Sequence, residues 1–212
     1  MSWFQLDPAS LAARARAAGA TPPTLGASIL RGALGFTVVS IGGFAPWVFL
    51  GWFFRRVGGE PGLYAACALT FIVLSGLFLH RLIIGPGSLS RFYKLFGASF
   101  AAYAVAWILG YMSLHGYAGS FVGLFAGTFV MGLMFCLAFD ALRVLVPVVA
   151  SLFVLNCLGY FAGWPIEHAL MAAHPIAARF QWGIVYGLGF GAGLGIAFHL
   201  CQGQARALLA KP

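Results

Sequence analysis

The 212-residue chain is 62% hydrophobic and only 8% charged, whereas charged residues make up about a quarter of a soluble domain. This excludes an ordinary water-soluble fold and makes the bilayer the natural solvent. The net charge of +8 does not point to nucleic acid, because the twelve Lys and Arg residues lie scattered at the ends of apolar segments rather than on one stripe.

Residues 7 to 19 read as a short helix, with Asp7 at the N-cap, Pro8 at the first helical position and Gly19 as a stop. Arg14 and Arg16 suit a membrane surface that carries anionic lipid. The first apolar run begins near Ala33, too far along for a cleaved secretory signal, so the first span is expected to be retained; an organellar targeting segment would have the same Arg-rich, acid-poor character. Residues 1–30 are thus expected to be an N-terminal cytoplasmic segment with a short interfacial amphipathic helix. Residues 31–202 follow as a six-span membrane domain and 203–212 as a short tail.

Six spans of about 20 residues, the length a hydrocarbon core demands, are expected at Ala33 to Phe54, Leu63 to Leu79, Leu95 to Leu114, Ala118 to Phe139, Val144 to Trp164 and Phe180 to Cys201. Only Asp140 and Arg143 interrupt the apolar stretch between the fourth and fifth, which predicts a tight hairpin there. Arg14, Arg16, Arg31, Arg81, Arg91, Lys94, Arg143, Arg206 and Lys211 then share one side, and Arg55, Arg56 and Arg179 the other. The excess places both termini on the cytoplasmic or matrix side of a bacterial inner membrane or an organellar inner membrane. Trp3, Trp47, Trp52, Trp164 and Trp182 fall near span ends, as interfacial belts require.

The strongest local pattern is Gly183, Gly187, Gly191 and Gly195 at four-residue spacing, followed by His199, with Gly189 and Gly193 as a second row. Gly119, Gly123 and Gly127 mark the fourth span in the same way. Bare glycine faces let helix backbones approach closely in lipid, so glycine-zipper packing of spans four and six is expected, with an oligomer contact or pore lining as the other uses of such a face.

Asp140 and Arg143, three residues apart, are expected to form an interfacial ion pair. On the opposite side His115, Glu167, His168 and His174 make a polar group with the donor types of a divalent-metal site, but the spacing matches no standard ligand set and a solvated, partly helical cap over the bundle is the plainer reading. His80 and His199 on one side and the other three histidines opposite raise the question of haem; all five sit at span ends rather than facing one another. No metal or cofactor is therefore expected, with haem and a divalent metal left open. The four cysteines, Cys67, Cys136, Cys157 and Cys201, form no CxxC pair and read as small buried residues. Ser120 is a serine within reach of the loop histidines, with nothing to fix the geometry of a nucleophile. Pro147 and Asn156 within the fifth span are the marks of a substrate path.

Three segments carry a family resemblance. GSLSRFYKLF (Gly87 to Phe96), GYAGSFVGLFAG (Gly116 to Gly127) and YGLGFGAGLG (Tyr186 to Gly195) resemble, in order, the entry to the third span, the start of the fourth and the last span of the rhomboid superfamily of six-span intramembrane proteases. At the matching positions Ala118 stands for the nucleophilic serine and Tyr186 for the histidine, so the resemblance implies an inactive, pseudoprotease-like member. The second-span histidine and asparagine are absent as well, and the first loop is short. The resulting expectation is a non-enzymatic scaffold or complex subunit that binds other transmembrane segments or itself, with no nucleic-acid partner. A small-solute or ion transporter, and a membrane enzyme or haem- or metal-binding subunit, are the alternatives.

Overall fold

The structure is a computed structural model and describes residues 4–210; Trp3 and Lys211 lie outside the described residues. All regular structure within them is helical: α1 (Pro8–Ala17), α2 (Leu25–Phe49), α3 (Gly51–Phe54), α4 (Gly59–Leu79), α5 (Ser88–Leu114), α6 (Gly116–Ala138), α7 (Leu145–Met171), α8 (Pro175–Cys201) and α9 (Gly203–Leu209), with single 3-10 turns at His80–Leu82 and Leu142–Val144. Six stretches, Leu25–Phe49, Pro61–Leu82, Ser88–Leu114, Gly116–Ala138, Leu142–Met171 and Pro175–Cys201, are long and apolar enough to cross a membrane. At about 1.5 Å per residue each exceeds a hydrocarbon core of roughly 30 Å, and the chain is a multi-pass membrane protein.

The helix bounds differ from the expected spans where packing overrides hydropathy. The first span starts at Leu25, not Ala33, because Thr24 caps it, its hydroxyl accepting from Ala27 N at 3.2 Å, and because Ser28 and Gly32 lie against α8. It ends at Phe49, and Trp52 belongs to the separate α3. The third begins at Ser88, with Gly87 in the left-handed region (φ 66°) that only glycine enters freely. The fifth runs unbroken through Glu167 and His168 to Met171, so the helical part of the expected cap is an extension of α7. Pro147 does not break it: it lies in the first turn, where a missing N–H costs nothing. The hairpin between the fourth and fifth spans turns at Phe139, Asp140 and Ala141, with Asp140 at φ 52°.

α8 packs between α2 and α7, while α5 lies on α6 and α4 on α2. Glycines set these approaches. A Cβ at Gly187 would fall 2.6 Å from Thr37 Cα, one at Gly191 2.7 Å from Phe36 Cβ and one at Gly195 2.9 Å from Ile29 Cα, all on α2. The second row faces α7, where a Cβ at Gly189 would fall 2.8 Å from Gly159 Cα. In α6, Cβ atoms at Gly119, Gly123 and Gly127 would lie 2.6 Å from Tyr111 O, Trp107 O and Tyr103 Cδ2 of α5. The rows of spans four and six thus serve different neighbours and do not face each other.

At the end that carries both termini, α1 packs on α9. Asp7 caps α1 by accepting from Ser10 N at 2.9 Å, and that bond holds its carboxyl below the usual carboxylate value. Arg14 donates to Gln5 O, and Arg16 to Leu208 O at 2.9 Å, tying α1 to α9. Arg14 loses some basicity through burial. The buried Gln202 locks this layer to the bundle: its Oε1 accepts from Ile84 N at 2.8 Å, and its Nε2 donates to Leu82 O at 2.8 Å and Phe198 O at 2.9 Å. The expected tail is therefore a docked helix.

Candidate binding cleft

Near the end that carries the termini α4 and α5 touch closely: the Tyr93 ring fills the place of a Gly76 side chain, and its hydroxyl donates to Val73 O at 2.8 Å. Toward the other end they part around a cavity of about 690 Å³. Tyr64, Cys67, Ala68 and Phe71 of α4 form one wall; Phe100, Tyr103, Ala104, Trp107, Ile108 and Tyr111 of α5 form the other. Ser120 of α6, Tyr160 and Trp164 of α7 and Phe44 of α2 close the back. A second lobe of about 400 Å³ shares Phe44, Tyr64, Cys67, Tyr160 and Trp164 with the first and adds Trp47, Val48, Glu167, Arg179 and Trp182. The two adjoin along these shared residues.

The depth of the α5 wall follows from its neighbour. Tyr103, Trp107 and Tyr111 recur every fourth residue and lie over Gly127, Gly123 and Gly119, so the aromatic row sinks against α6 and leaves the cleft open. Trp107 and Tyr111 stack with ring centroids 5.3 Å apart and planes 7° from parallel. Behind the wall the fully buried Asn156 donates from Nδ2 to the Tyr103 hydroxyl at 3.1 Å, while its Oδ1 has no partner. Ser120 Oγ and the Tyr160 hydroxyl are 3.5 Å apart. The main lobe thus offers aromatic faces and neutral hydroxyls, with no charged group among its lining residues.

The residues singled out from sequence are dispersed. Ala118 is exposed on α6, whereas Tyr186 is buried and stacks on Trp182, with centroids 5.1 Å apart and planes 5° from parallel. The buried Ser120 meets Tyr160 and not a histidine. His168 turns its Nδ1 to Trp164 O at 2.8 Å, His115 joins α5 to α6 at φ 55°, and His174 precedes α8 without a side-chain capping bond. Among the described residues no three His, Cys, Asp or Glu side chains gather as a metal site, so His115, Glu167, His168 and His174 do not form the cluster considered from sequence. His80 Nδ1 lies 2.9 Å from Gly76 O of the preceding α4. The expected Asp140–Arg143 ion pair does not form: with its amide oriented to present oxygen, Gln204 accepts from Arg143 Nη2 at 3.2 Å and Nε at 3.3 Å. The lining residues Tyr64, Phe71, Tyr103, Trp107, Tyr111 and Tyr160 were not singled out; the four-residue spacing of Tyr103, Trp107 and Tyr111, matching the glycine spacing of the next span, is the signal that marks them.

The fold and cleft define a class: a multi-pass helical membrane protein with an aromatic, laterally placed cavity. No family model matches the chain, and no curated protein or solved structure matches it either.

Proposed function

We propose that the chain is a non-enzymatic binding protein of its membrane, which takes an acyl or isoprenoid chain into the cleft between α4 and α5. The observation that carries this reading is the main lobe itself. Its volume of about 690 Å³ falls within the range of ligand pockets, roughly 300–1,000 Å³, and its apolar walls with a few neutral polar groups have the usual character of one. A docked helix fits it less well, because helix pairing in lipid relies on small-residue faces, and the glycine rows of α6 and α8 are occupied by α5, α2 and α7. No general base stands beside Ser120 to make it a nucleophile. With both termini cytoplasmic, as the loop charges favour, the cleft opens in the outer half of the bilayer, while Arg14 and Arg16 meet anionic headgroups on the inner face.

Native mass spectrometry of the full chain in mild detergent tests this. The expected result is a lipid adduct on the wild type that is much reduced in Ala104→Trp, whose indole narrows the lobe, with the melting temperature retained. A wild type that carries no lipid would overturn the reading.

A second reading rests on a different surface. Phe121 of α6 and Phe153, Val154, Cys157, Leu158 and Phe161 of α7 line an apolar groove of about 350 Å³, the kind of face on which a complex subunit or a rhomboid-like pseudoprotease would hold another transmembrane segment. Photo-crosslinking from position 158 to a single stoichiometric membrane partner would favour it over lipid binding alone.

A further inference from the structure

The lobe that carries Trp47, Trp164 and Trp182 differs chemically from the main one, and what it holds deepens the lipid-binding reading on which this inference rests. Its aromatic side chains gather in two groups: Trp47 and Tyr64 have centroids 5.4 Å apart, while Tyr160 lies 5.8 Å from Trp164 and 5.5 Å from Trp182. The Trp182 indole sinks into the wall because Gly163 leaves room; a Cβ there would fall 2.5 Å from its Cδ1. Two charged residues, Glu167 and Arg179, line the same lobe. No ion pair within 4.0 Å joins them among the described residues, so each charge is free to meet a ligand.

Aromatic faces attract cations through the ring quadrupole, and a cage of them suits an ammonium whose methyl or methylene groups cannot be satisfied by hydrogen bonds. A carboxylate at the rim adds the opposite charge. A divalent metal is a poor fit, since it needs several oxygen ligands and the lining residues supply one carboxylate. Arg179 supplies the complement for an anion, and a guanidinium pairs phosphate with two parallel N–H bonds. We infer that this lobe binds an ammonium group adjoining a phosphate, the head of a zwitterionic phospholipid, with the ammonium against the tryptophans and Glu167, the phosphate on Arg179 and a chain in the main lobe. The same ammonium chemistry occurs in free choline, and the test separates the two sources.

The full chain in mild detergent is titrated with phosphatidylcholine, phosphatidylglycerol and diacylglycerol of identical chains, and separately with choline chloride, following bound mass and tryptophan fluorescence. The expected result is phosphatidylcholine bound about tenfold more tightly than the other two, the gain of a cation held by aromatic faces. Glu167→Gln is expected to remove most of the preference for phosphatidylcholine over phosphatidylglycerol, and Arg179→Gln to lower both phospholipids toward the affinity of diacylglycerol. Choline binding with phosphatidylcholine no better than phosphatidylglycerol would support the ammonium cage and assign it to a soluble ligand, overturning the lipid-head assignment. Equal affinity for all three lipids with no response to choline would overturn the inference and leave the chain-binding reading standing. Absence of every lipid adduct would remove both.

Discussion

The carbonyl oxygen of Gly32 on α2 occupies the place that a side chain at Gly191 on α8 would need. The two helices run antiparallel in a register that continues from Phe44 over Gly183 and Thr37 over Gly187 to Ser28 over Gly195. In lipid, where burying apolar surface gives no drive between helices, this density of backbone contact is what holds the centre of the bundle.

Gly191→Ala is therefore expected to destabilise the protein by about 1–3 kcal/mol, the usual range for overpacking. Gly26 is the control: it lies in the first turn of the same α2 with nothing within 4 Å of a Cβ, and Gly26→Ala should raise stability by about 0.5 kcal/mol through lower chain entropy. Unfolding in graded denaturing detergent, or a thermal melt, reads both. Two effects of the same sign would show that the α2–α8 contact does not set stability.

Asn156 and Tyr103 form a buried polar pair behind the cleft wall, 3.1 Å apart. Tyr103→Phe should cost about 1–3 kcal/mol, because the amide of Asn156 then has no acceptor in an apolar site. In an Asn156→Ala background the same change should cost close to nothing. A double-mutant cycle gives the coupling directly; full additivity would mean that the bond contributes nothing.

Gln202 satisfies Ile84 N, Leu82 O and Phe198 O at once. Gln202→Ala leaves Ile84 N–H and Leu82 O without those partners, at a cost of about 1–3 kcal/mol for each group left unpaired. Hydrogen exchange should accelerate first at residues 82–87 and in α1 and α9, while α6 and α7 keep their protection. Uniform acceleration across the bundle would contradict the local role of this amide.

Asp7 gives the N-terminal helix a pH dependence. Its folded pKa lies below the ordinary 3.8, chiefly because Ser10 N–H bonds to the charged carboxylate. A depressed carboxylate contributes its stability in full above the unfolded value and loses it as pH falls through the folded one. Proteolysis at Arg14 and Arg16 should therefore rise below about pH 4 in the wild type. In Asp7→Asn, which keeps a capping oxygen without a titrating group, it should stay flat with pH; Asp7→Ala should loosen α1 at all pH values by about 1 kcal/mol.

The number of spans and the hairpin at Asp140 were legible because a bilayer imposes a length and a hydropathy on each span that a single sequence displays. The cap at Asp7 was legible for a similar reason, since capping depends on residues within one turn. The early start of α2 was not: Ser28 and Gly32 lower the local hydropathy, and their helical state depends on α8, far along the chain. The glycine rows announced close packing but not with whom, because a bare face fits any neighbour and the rotation of each helix chooses. The cleft was least visible, since Phe44, Tyr64, Trp107, Ser120 and Trp164 come from five helices and acquire a common function only once those helices are placed. Sequence alone thus determined that this chain crosses a membrane as a helical bundle, through the cost of exposing backbone and charge to lipid. Tertiary structure alone decided which aromatic and charged side chains share a cavity, because that depends on inter-helix distances fixed by glycines far apart in the chain.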